Sequence, residues 1–216
     1  MNYSIEPDVG RADAGAATRT ALLDAARAAF GRAGFDGASV RTITGEAGTN
    51  LGAITYHFGS KRGLYEAVLE EGLRPLSDRV RATAASDGMA IERIVRVVEA
   101  YFAHLALHPD LPHLLLQEIA AGKEPPRVVI DIIGEVKDAL AGLQREGERD
   151  GSVRPGHPVL TALSVISQPV YLTLVAPMLR TVAGLDLSDT VTHRTVVAHA
   201  TDFVRRALEP RGEVHA

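Results

Sequence analysis

Apolar residues recur at three- and four-residue spacing along almost the whole chain, which is the period of amphipathic helices. Leu22, Ala26 and Phe30 form one such stripe and predict a helix from about Thr18 to Ala33. Gly34 follows as a residue suited to a left-handed helix cap. No segment shows sustained alternation of apolar and polar residues. The pattern therefore predicts an all-α fold of about nine helices without a sheet.

Two short helices and a turn are predicted between residues 39 and 59. Ser39 and Asn50 are favourable N-cap residues, and a short apolar-periodic segment follows each of them. Gly48 separates the two segments, and Gly59 ends the second. A further helix begins near Lys61, so this region reads as a helix-turn-helix between two longer helices.

The rest of the chain predicts five mostly longer helices, of which the last two cover about residues 159–179 and 188–208. We therefore divide the sequence into a disordered tail over residues 1–16, a helix-turn-helix domain over 17–82 that includes the linking fourth helix, and a helical bundle over 83–216.

Composition narrows the class of protein. The 216 residues are 46% hydrophobic, which is enough for a real core, and they include no cysteine. A disulfide framework, a Cys-ligated metal site and thiol catalysis are thereby excluded.

The uncharged run over 155–179 contains Ser164, Ser167, Gln168 and Thr173, which make a poor lipid-facing surface. With no export signal recognisable at the N-terminus, the expected location is the cytoplasm, without membrane contact.

The net charge of −4 hides an uneven distribution. Residues 17–62 carry six basic and three acidic side chains, a surplus of +3, whereas residues 63–216 carry 16 basic and 21 acidic side chains, a net −5. A basic head attracts phosphates and an acidic body is repelled by them, so this polarity favours a nucleic-acid-binding head.

The second short helix has the properties of a groove-binding helix. Ile54 and Phe58 are expected to face inward and to belong to the core. The outward face then contains small or uncharged residues that suit close approach to the DNA major groove. The groups suited to phosphate contact around it are Arg41, Tyr56 and Lys61.

Residues 20–69 resemble the DNA-binding domain of the TetR family of transcriptional regulators. The resemblance rests above all on the segment Tyr56 to Lys61 followed by Leu64-Tyr65, with further matches at Leu23 to Ala26, Phe30, Gly34-Phe35, Thr42-Ile43, Ala47 to Asn50 and Gly52 to Ile54. The resemblance implies that Val40–Ala47 is the positioning helix and Leu51–His57 the recognition helix. Thr55 departs from the family, which commonly has tyrosine there.

The resulting set of candidate DNA contacts combines the two helices with the start of the fourth. It consists of Arg41, Thr42, Asn50, Leu51, Gly52, Ala53, Thr55, Tyr56, His57 and Lys61.

A second copy of the chain is an expected partner. Two helix-turn-helix modules related by a two-fold axis present recognition helices about 34–36 Å apart, which matches a palindromic site in double-stranded DNA. One subunit is too small to enclose both of the last two helices, and the resemblance implies that they form the dimer interface. The candidate interface residues are Leu160, Leu163, Ser167, Val170, Leu174, Val196, His199 and Phe203.

The resemblance also implies that the middle helices hold a small-molecule pocket. Polar or aromatic side chains on otherwise apolar helices are the candidates: Tyr101, His104, His108, His113, Gln117, Gln168 and Tyr171. His104 and His108 have the i, i+4 spacing of metal ligands, but Pro109 interrupts the element and no HExxH motif is present. We expect neither a metal nor a cofactor.

The sequence thus favours a homodimeric regulator, in particular a repressor that leaves a palindromic operator when a small molecule binds. The alternatives are an all-helical enzyme or ligand-binding protein without DNA binding, and a bare helical oligomerisation module. No phosphate-binding glycine loop and no nucleophile elbow support an enzyme.

Overall fold

In a computed structural model, the described part of the chain, residues 9–210, consists of ten α-helices without a strand. They are α1 (Val9–Gly37), α2 (Val40–Glu46), α3 (Leu51–Phe58), α4 (Lys61–Ala84), α5 (Ala90–Leu107), α6 (Leu111–Ala120), α7 (Arg127–Asp150), α8 (Pro158–Leu174), α9 (Ala176–Ala183) and α10 (Thr190–Leu208). The all-α prediction is confirmed, with ten helices among the described residues instead of about nine.

The additional helix arises because the segment predicted as one helix over 159–179 is broken at Val175. The axes of α8 and α9 are bent by 67° at this point. Pro177 lies in the first turn of α9 and has no N–H to donate to the carbonyl of Thr173, and at the end of α8 the Val175 N–H donates to the carbonyl of Tyr171 at 2.9 Å. No single helix over residues 9–210 has the length and apolarity to cross a membrane, and α8 with α9 reaches them only as this bent pair.

The first helix begins earlier than predicted. α1 starts at Val9 rather than near Thr18, so residues 9–16 are helical and not a disordered tail; residues 1–8 lie outside the described part. Alanine-rich sequence favours the helix here, and the Thr18 hydroxyl donates to the carbonyl of Ala14 at 2.9 Å. Gly34, at φ +70°, interrupts the helical conformation where a cap was predicted.

The residues up to Glu70 form one compact unit. Its core contains Leu22, Ile43, Ile54 and Leu64, all fully buried or nearly so. An aromatic cluster joins α1 to α4, with the Tyr65 ring 5.0 Å from that of Phe30 in an edge-to-face contact and 5.1 Å from that of Phe35. Helices α2 and α3 pack against α1 and against each other in the same unit.

The second unit begins at Glu71, inside α4, whereas the predicted domain boundary followed α4. A polar cluster explains why the second half of α4 packs with the later helices. Both Glu135 oxygens on α7 accept from Arg74 at 3.0 Å, and the buried Ser77 hydroxyl donates to Glu135 at 2.9 Å. These two hydrogen bonds, Ser77 first and Arg74 second, hold the pKa of Glu135 below its usual value.

The central helix of this unit is α5, which packs against α7, α8 and α10. Its N-terminus is capped from a distance, because the Asp150 carboxylate accepts from the Ala90 N–H at 3.1 Å and the Ser152 hydroxyl accepts from the Ile91 N–H at 3.3 Å. Hydrogen bonds from Ser152, through its hydroxyl and then its N–H, keep the pKa of Asp150 low, with a further contribution from the Ala90 N–H.

Candidate nucleic-acid interface

Helices α2 and α3 form the predicted helix-turn-helix, and each is capped by the residue expected. The Ser39 hydroxyl accepts from the Arg41 N–H at 3.2 Å, and the Asn50 side-chain oxygen accepts from the Ala53 N–H at 3.2 Å. Gly48 has a φ of +64°, which a residue with a side chain rarely adopts. The turn geometry therefore follows directly from the local sequence.

Helix α3 is anchored by one face and presents the other. Ile54 is only 2% exposed, whereas Tyr56 on the opposite side is 85% exposed. Leu51, Gly52 and Thr55 are exposed as well. The remaining two predicted contacts on this helix, Ala53 and His57, are partly buried, and the His57 ring packs edge-to-face on Tyr56 at 4.8 Å.

The contacts predicted outside α3 are also accessible. Arg41 and Thr42 are exposed in the first turn of α2, and Asn50 is exposed at the start of α3. Arg41 forms no ion pair with any residue over 9–210, so its guanidinium is available to an anion such as a phosphate. The Asn50 oxygen is used as a cap, which leaves its amide N–H groups as the donors.

Lys61 is held in place at the start of α4. Its ammonium nitrogen donates to the carbonyl of Asp36 at 3.4 Å and lies 4.7 Å from the centre of the Phe35 ring. An ammonium has three donors, so this arrangement leaves donors for a phosphate. The Ser60 hydroxyl accepts from the Gly63 N–H at 3.0 Å and caps the same helix.

The link between α3 and α4 depends on a close backbone approach. A Cβ at Gly63 would lie 2.1 Å from the carbonyl oxygen of Phe58. Phe58 itself was expected in the core, but it is only partly buried, and the Arg19 guanidinium lies 5.3 Å from its ring centre. Phe58 differs from the prediction because its ring is covered by a cation from α1 and not by an apolar side chain.

The predicted interface residues of α8 and α10 are incompletely covered within one chain. Leu160 is 60% exposed and Phe203 is 53% exposed. Of the other six, Leu163, Ser167 and His199 are exposed, and Val170, Leu174 and Val196 are partly buried. The two helices therefore carry an apolar surface that one subunit does not bury.

The predicted pocket residues are dispersed. Tyr101 is buried in α5, where desolvation raises the pKa of its hydroxyl. The His104 imidazole is hydrogen-bonded through Nε2 to the carbonyl of Gly72 at 2.8 Å. A nitrogen that donates to a carbonyl is unavailable as a metal ligand. His108 packs against His104 at 4.5 Å between ring centres.

The four other candidates lie farther along the chain. Gln117 and Tyr171 are exposed, and Gln168 is partly buried. His113 lines a cavity of about 570 Å³ within the second unit, and the six other candidates do not. Over the described residues, no group of three or more His, Asp or Glu side chains is arranged to hold a metal.

The cavity is lined by residues that the sequence analysis missed, among them Phe102, Arg180 and His193. They belong to α5, α9 and α10, which the chain brings together only after α8 has ended. Pro177 is a sequence signal at this break, but proline alone does not locate a break in this chain, because α4 continues through Pro75 and α8 through Pro169. No sequence pattern indicates which residues then surround the space.

Two family models match the chain. The model described as "Bacterial regulatory proteins, tetR family" matches residues 22–68, which include α2, α3 and the start of α4. The model described as "Tetracyclin repressor-like, C-terminal domain" matches residues 91–204, more than half of the chain.

Curated relatives are named as regulators. The HTH-type transcriptional regulator RutR of Escherichia coli (strain K12) is 24% identical over 204 residues, which cover 93% of this chain and 95% of RutR. The HTH-type transcriptional regulator UidR of the same strain is 26% identical over 145 residues, 64% of this chain and 70% of UidR.

Solved structures share the fold. A bacterial regulatory protein in the tetR family from Rhodococcus RHA1 aligns with a TM-score of 0.74 at 19% identity, over 90% of this chain and 98% of that one. The ketosteroid transcriptional regulator KstR2 of Mycobacterium tuberculosis aligns with a TM-score of 0.71 at 20% identity, over 89% and 95%. With both family models matched, the chain belongs to the tetR family of bacterial regulatory proteins, which are helix-turn-helix transcriptional regulators.

Proposed function

We propose that this regulator is a repressor that binds a palindromic operator as a homodimer and releases it when a small molecule binds the second unit. The observation that carries the proposal is the exposed face of α3. A short, capped helix presents Tyr56 beside small residues, within the segment 17–62 that carries a surplus of +3. This face matches the major groove in size and polarity.

The residues divide into two roles. We assign Leu51, Gly52, Ala53 and Thr55 to the base edges, since all four are uncharged and the last three are small enough for close approach to the groove. Phosphates are bound by Arg41, Thr42, Asn50, Tyr56, His57 and Lys61. Thr55 has the shorter side chain at a position where relatives commonly have tyrosine, so we assign the phosphate contact to the neighbouring Tyr56.

Dimerisation is assigned to α8 and α10. Their exposed apolar side chains, including Leu160, Leu163 and Phe203, form the kind of surface that a symmetric four-helix contact buries. Two heads are also needed for tight binding, because a surplus of +3 in one head gives only modest attraction to DNA. Binding to chromosomal DNA requires a cytoplasmic location.

The DNA-binding assignment is tested by fluorescence anisotropy with labelled DNA flanking the gene, across a range of salt concentrations. The wild type should bind with a salt-dependent affinity. Lys61→Ala should weaken binding and reduce the slope of log K against log salt by about one per head, because one phosphate contact is lost. Tyr56→Ala should weaken binding by about tenfold or more.

Arg79→Ala is the control, because Arg79 is an exposed cation of α4 outside the proposed contacts. It should bind like the wild type, and all variants should keep the helical circular dichroism spectrum. Wild-type binding by both Tyr56→Ala and Lys61→Ala would refute the assignment of these contacts. A folded dimer that binds none of the flanking DNA at low salt would instead favour a helical ligand-binding protein or enzyme.

A further inference from the structure

The cavity of about 570 Å³ lies at the break between α8 and α9. Thr173 at the end of α8 and Ala176-Pro177 at the start of α9 form one side of it, and the C-terminal part of α5 forms another. The start of α6, the loop over 184–189 and the start of α10 complete the lining. Its volume lies in the range of pockets that bind small organic molecules.

The wall contributed by α5 and its end is apolar. Phe102, Leu105, Ala106 and Pro109 line it, and the Phe102 ring makes an edge-to-face contact with His193 at 6.2 Å between centres. Leu187 adds an apolar side chain from the loop. A ligand body that fills this space gains affinity from the apolar area that it removes from water.

The lining contains one guanidinium, that of Arg180, which lies near enough to the Asp186 carboxylate to contribute to the lowered pKa of that group. Arg180 forms no ion pair or hydrogen bond within the described range. The carboxylate of Asp186 also lines the cavity, but it accepts from the Ser188 N–H at 2.9 Å and from the Ser188 hydroxyl at 2.6 Å. Asp189 likewise caps α10 through the N–H groups of Val191 and Thr192.

The Asp186 carboxylate is therefore hydrogen-bonded by Ser188, and Arg180 interacts with it through charge without a hydrogen bond, which leaves the N–H groups of the guanidinium for a ligand. A guanidinium matches a carboxylate in a planar, two-point hydrogen-bonded arrangement. His113 and His193 add ring nitrogens at the same cavity. The Arg180 guanidinium thus favours an acceptor on the ligand, and the apolar wall favours a hydrocarbon body.

We propose that this cavity binds a small organic carboxylate with an apolar body, whose carboxylate pairs with Arg180 and whose hydrocarbon part lies against Phe102 and Leu105. The proposal of ligand binding rests on the cavity and its lining residues, and it does not depend on DNA binding. The consequence that such a ligand releases the operator rests on the function proposed above.

The test uses three probes with the same tail and different head groups: octanoate, octanol and octylammonium. Isothermal titration of the full-length protein should give the tightest binding for octanoate, weaker binding for octanol and the weakest for octylammonium. Arg180→Gln should weaken octanoate by about tenfold or more and leave octanol unchanged, because only the charged pair is lost. Arg180→Lys should retain part of the octanoate affinity.

Two further variants provide controls. Arg79→Gln removes an exposed cation outside the cavity and should bind octanoate like the wild type. Ala106→Trp fills the cavity and should abolish binding of both octanoate and octanol. Unchanged octanoate affinity in Arg180→Gln, or octylammonium binding as tight as octanoate, would overturn the proposal, provided that the variants keep the wild-type circular dichroism spectrum.

Operator release is measured separately, by adding octanoate to the preformed complex with DNA. If octanoate releases DNA from the wild type and not from Arg180→Gln, the cavity is the site through which a ligand controls operator binding. Octanoate binding without release would leave the cavity assignment intact and contradict its regulatory role. Absence of DNA binding in the ligand-free protein would contradict the proposed function and not the cavity.

Discussion

Single residues determine where the recognition helix α3 begins and ends. The Asn50 side chain caps its first turn, and Gly59, at a φ of +76°, ends it. Gly63 then allows α4 to start against the carbonyl of Phe58. Each of these positions has a local steric or hydrogen-bonding requirement, and together they limit how α3 is oriented on the head.

The close approach at Gly63 gives a prediction at the residue scale. Gly63→Ala should destabilise the protein by about 2 kcal/mol or more, because the new Cβ would lie 2.1 Å from a backbone oxygen and the turn must open. Thermal or urea denaturation followed by circular dichroism measures the effect. The variant should also bind DNA less tightly, since α3 is displaced.

The matched control is Gly45→Ala. Gly45 lies in α2, and no atom is within 4 Å of the position that its Cβ would occupy. Alanine is the better helix former, so this variant should be more stable by about 0.5–1 kcal/mol. Equal stability of Gly63→Ala and the wild type would show that the turn tolerates the side chain.

At the scale of helices, partly buried hydrogen bonds connect α4 to the later helices α5 and α7. Glu135 on α7 connects to α4 at Arg74 and Ser77, and the His104 ring on α5 is bonded to the carbonyl of Gly72 on α4. α4 also runs continuously through Pro75 to Ala84. The second half of α4 is therefore tied to the helices that surround the cavity.

The pairing of Glu135 predicts a pH dependence. Because the folded state lowers the pKa of Glu135 below the ordinary 4.5, its contribution to stability is fully present above that value and is lost as the pH falls through the folded pKa. Glu135→Gln should therefore lower the Tm at pH 7. The difference from the wild type should shrink toward pH 4 and below, where Glu135 takes up a proton.

Asp138→Asn is the control for this measurement. Asp138 lies on the same helix, is 74% exposed and pairs only with the neighbouring Lys137 at 2.9 Å. It should change the Tm little at either pH. A Tm difference between Glu135→Gln and the wild type that is the same at pH 7 and pH 4 would contradict the assignment of the pH dependence to Glu135.

At the scale of the whole molecule, the basic surplus and the exposed apolar residues of α8 and α10 lie in different segments of the sequence. The basic surplus lies in residues 17–62, whereas the exposed apolar residues of α8 and α10 lie in the acidic remainder. The separation suits a protein whose head binds phosphates and whose body binds a second copy of itself.

The dimer assignment predicts that a charge on this surface separates the subunits. Leu163→Glu combined with Phe203→Glu should raise the dimer dissociation constant by more than about 100-fold, because two carboxylates per subunit would be buried without partners. Analytical ultracentrifugation measures the change, and operator affinity should fall with it. The helical spectrum should persist, since both side chains are exposed in one chain.

Ile130→Glu serves as the comparison, because Ile130 is a 45% exposed apolar residue of α7 outside the proposed surface. This variant should remain dimeric. If the double variant also remains a dimer at low micromolar concentration, the interface lies elsewhere on the molecule.

The sequence by itself determined the all-α class and the geometry of the helix-turn-helix. The caps at Ser39 and Asn50 and the turn at Gly48 depend on hydrogen bonds and backbone angles within a few residues, so local sequence is sufficient to predict them. The outward position of Tyr56 follows from helical period in the same way.

Only the tertiary structure decided which residues meet across the chain. Arg19 covers Phe58 from α1, His104 is bonded to Gly72 rather than placed at the cavity, and Arg180 lines a space that opens where α8 ends. These relations join residues far apart in sequence, and they depend on the packing of whole helices. Hydrophobic period indicates that a helix has a buried face, but not which helix covers it.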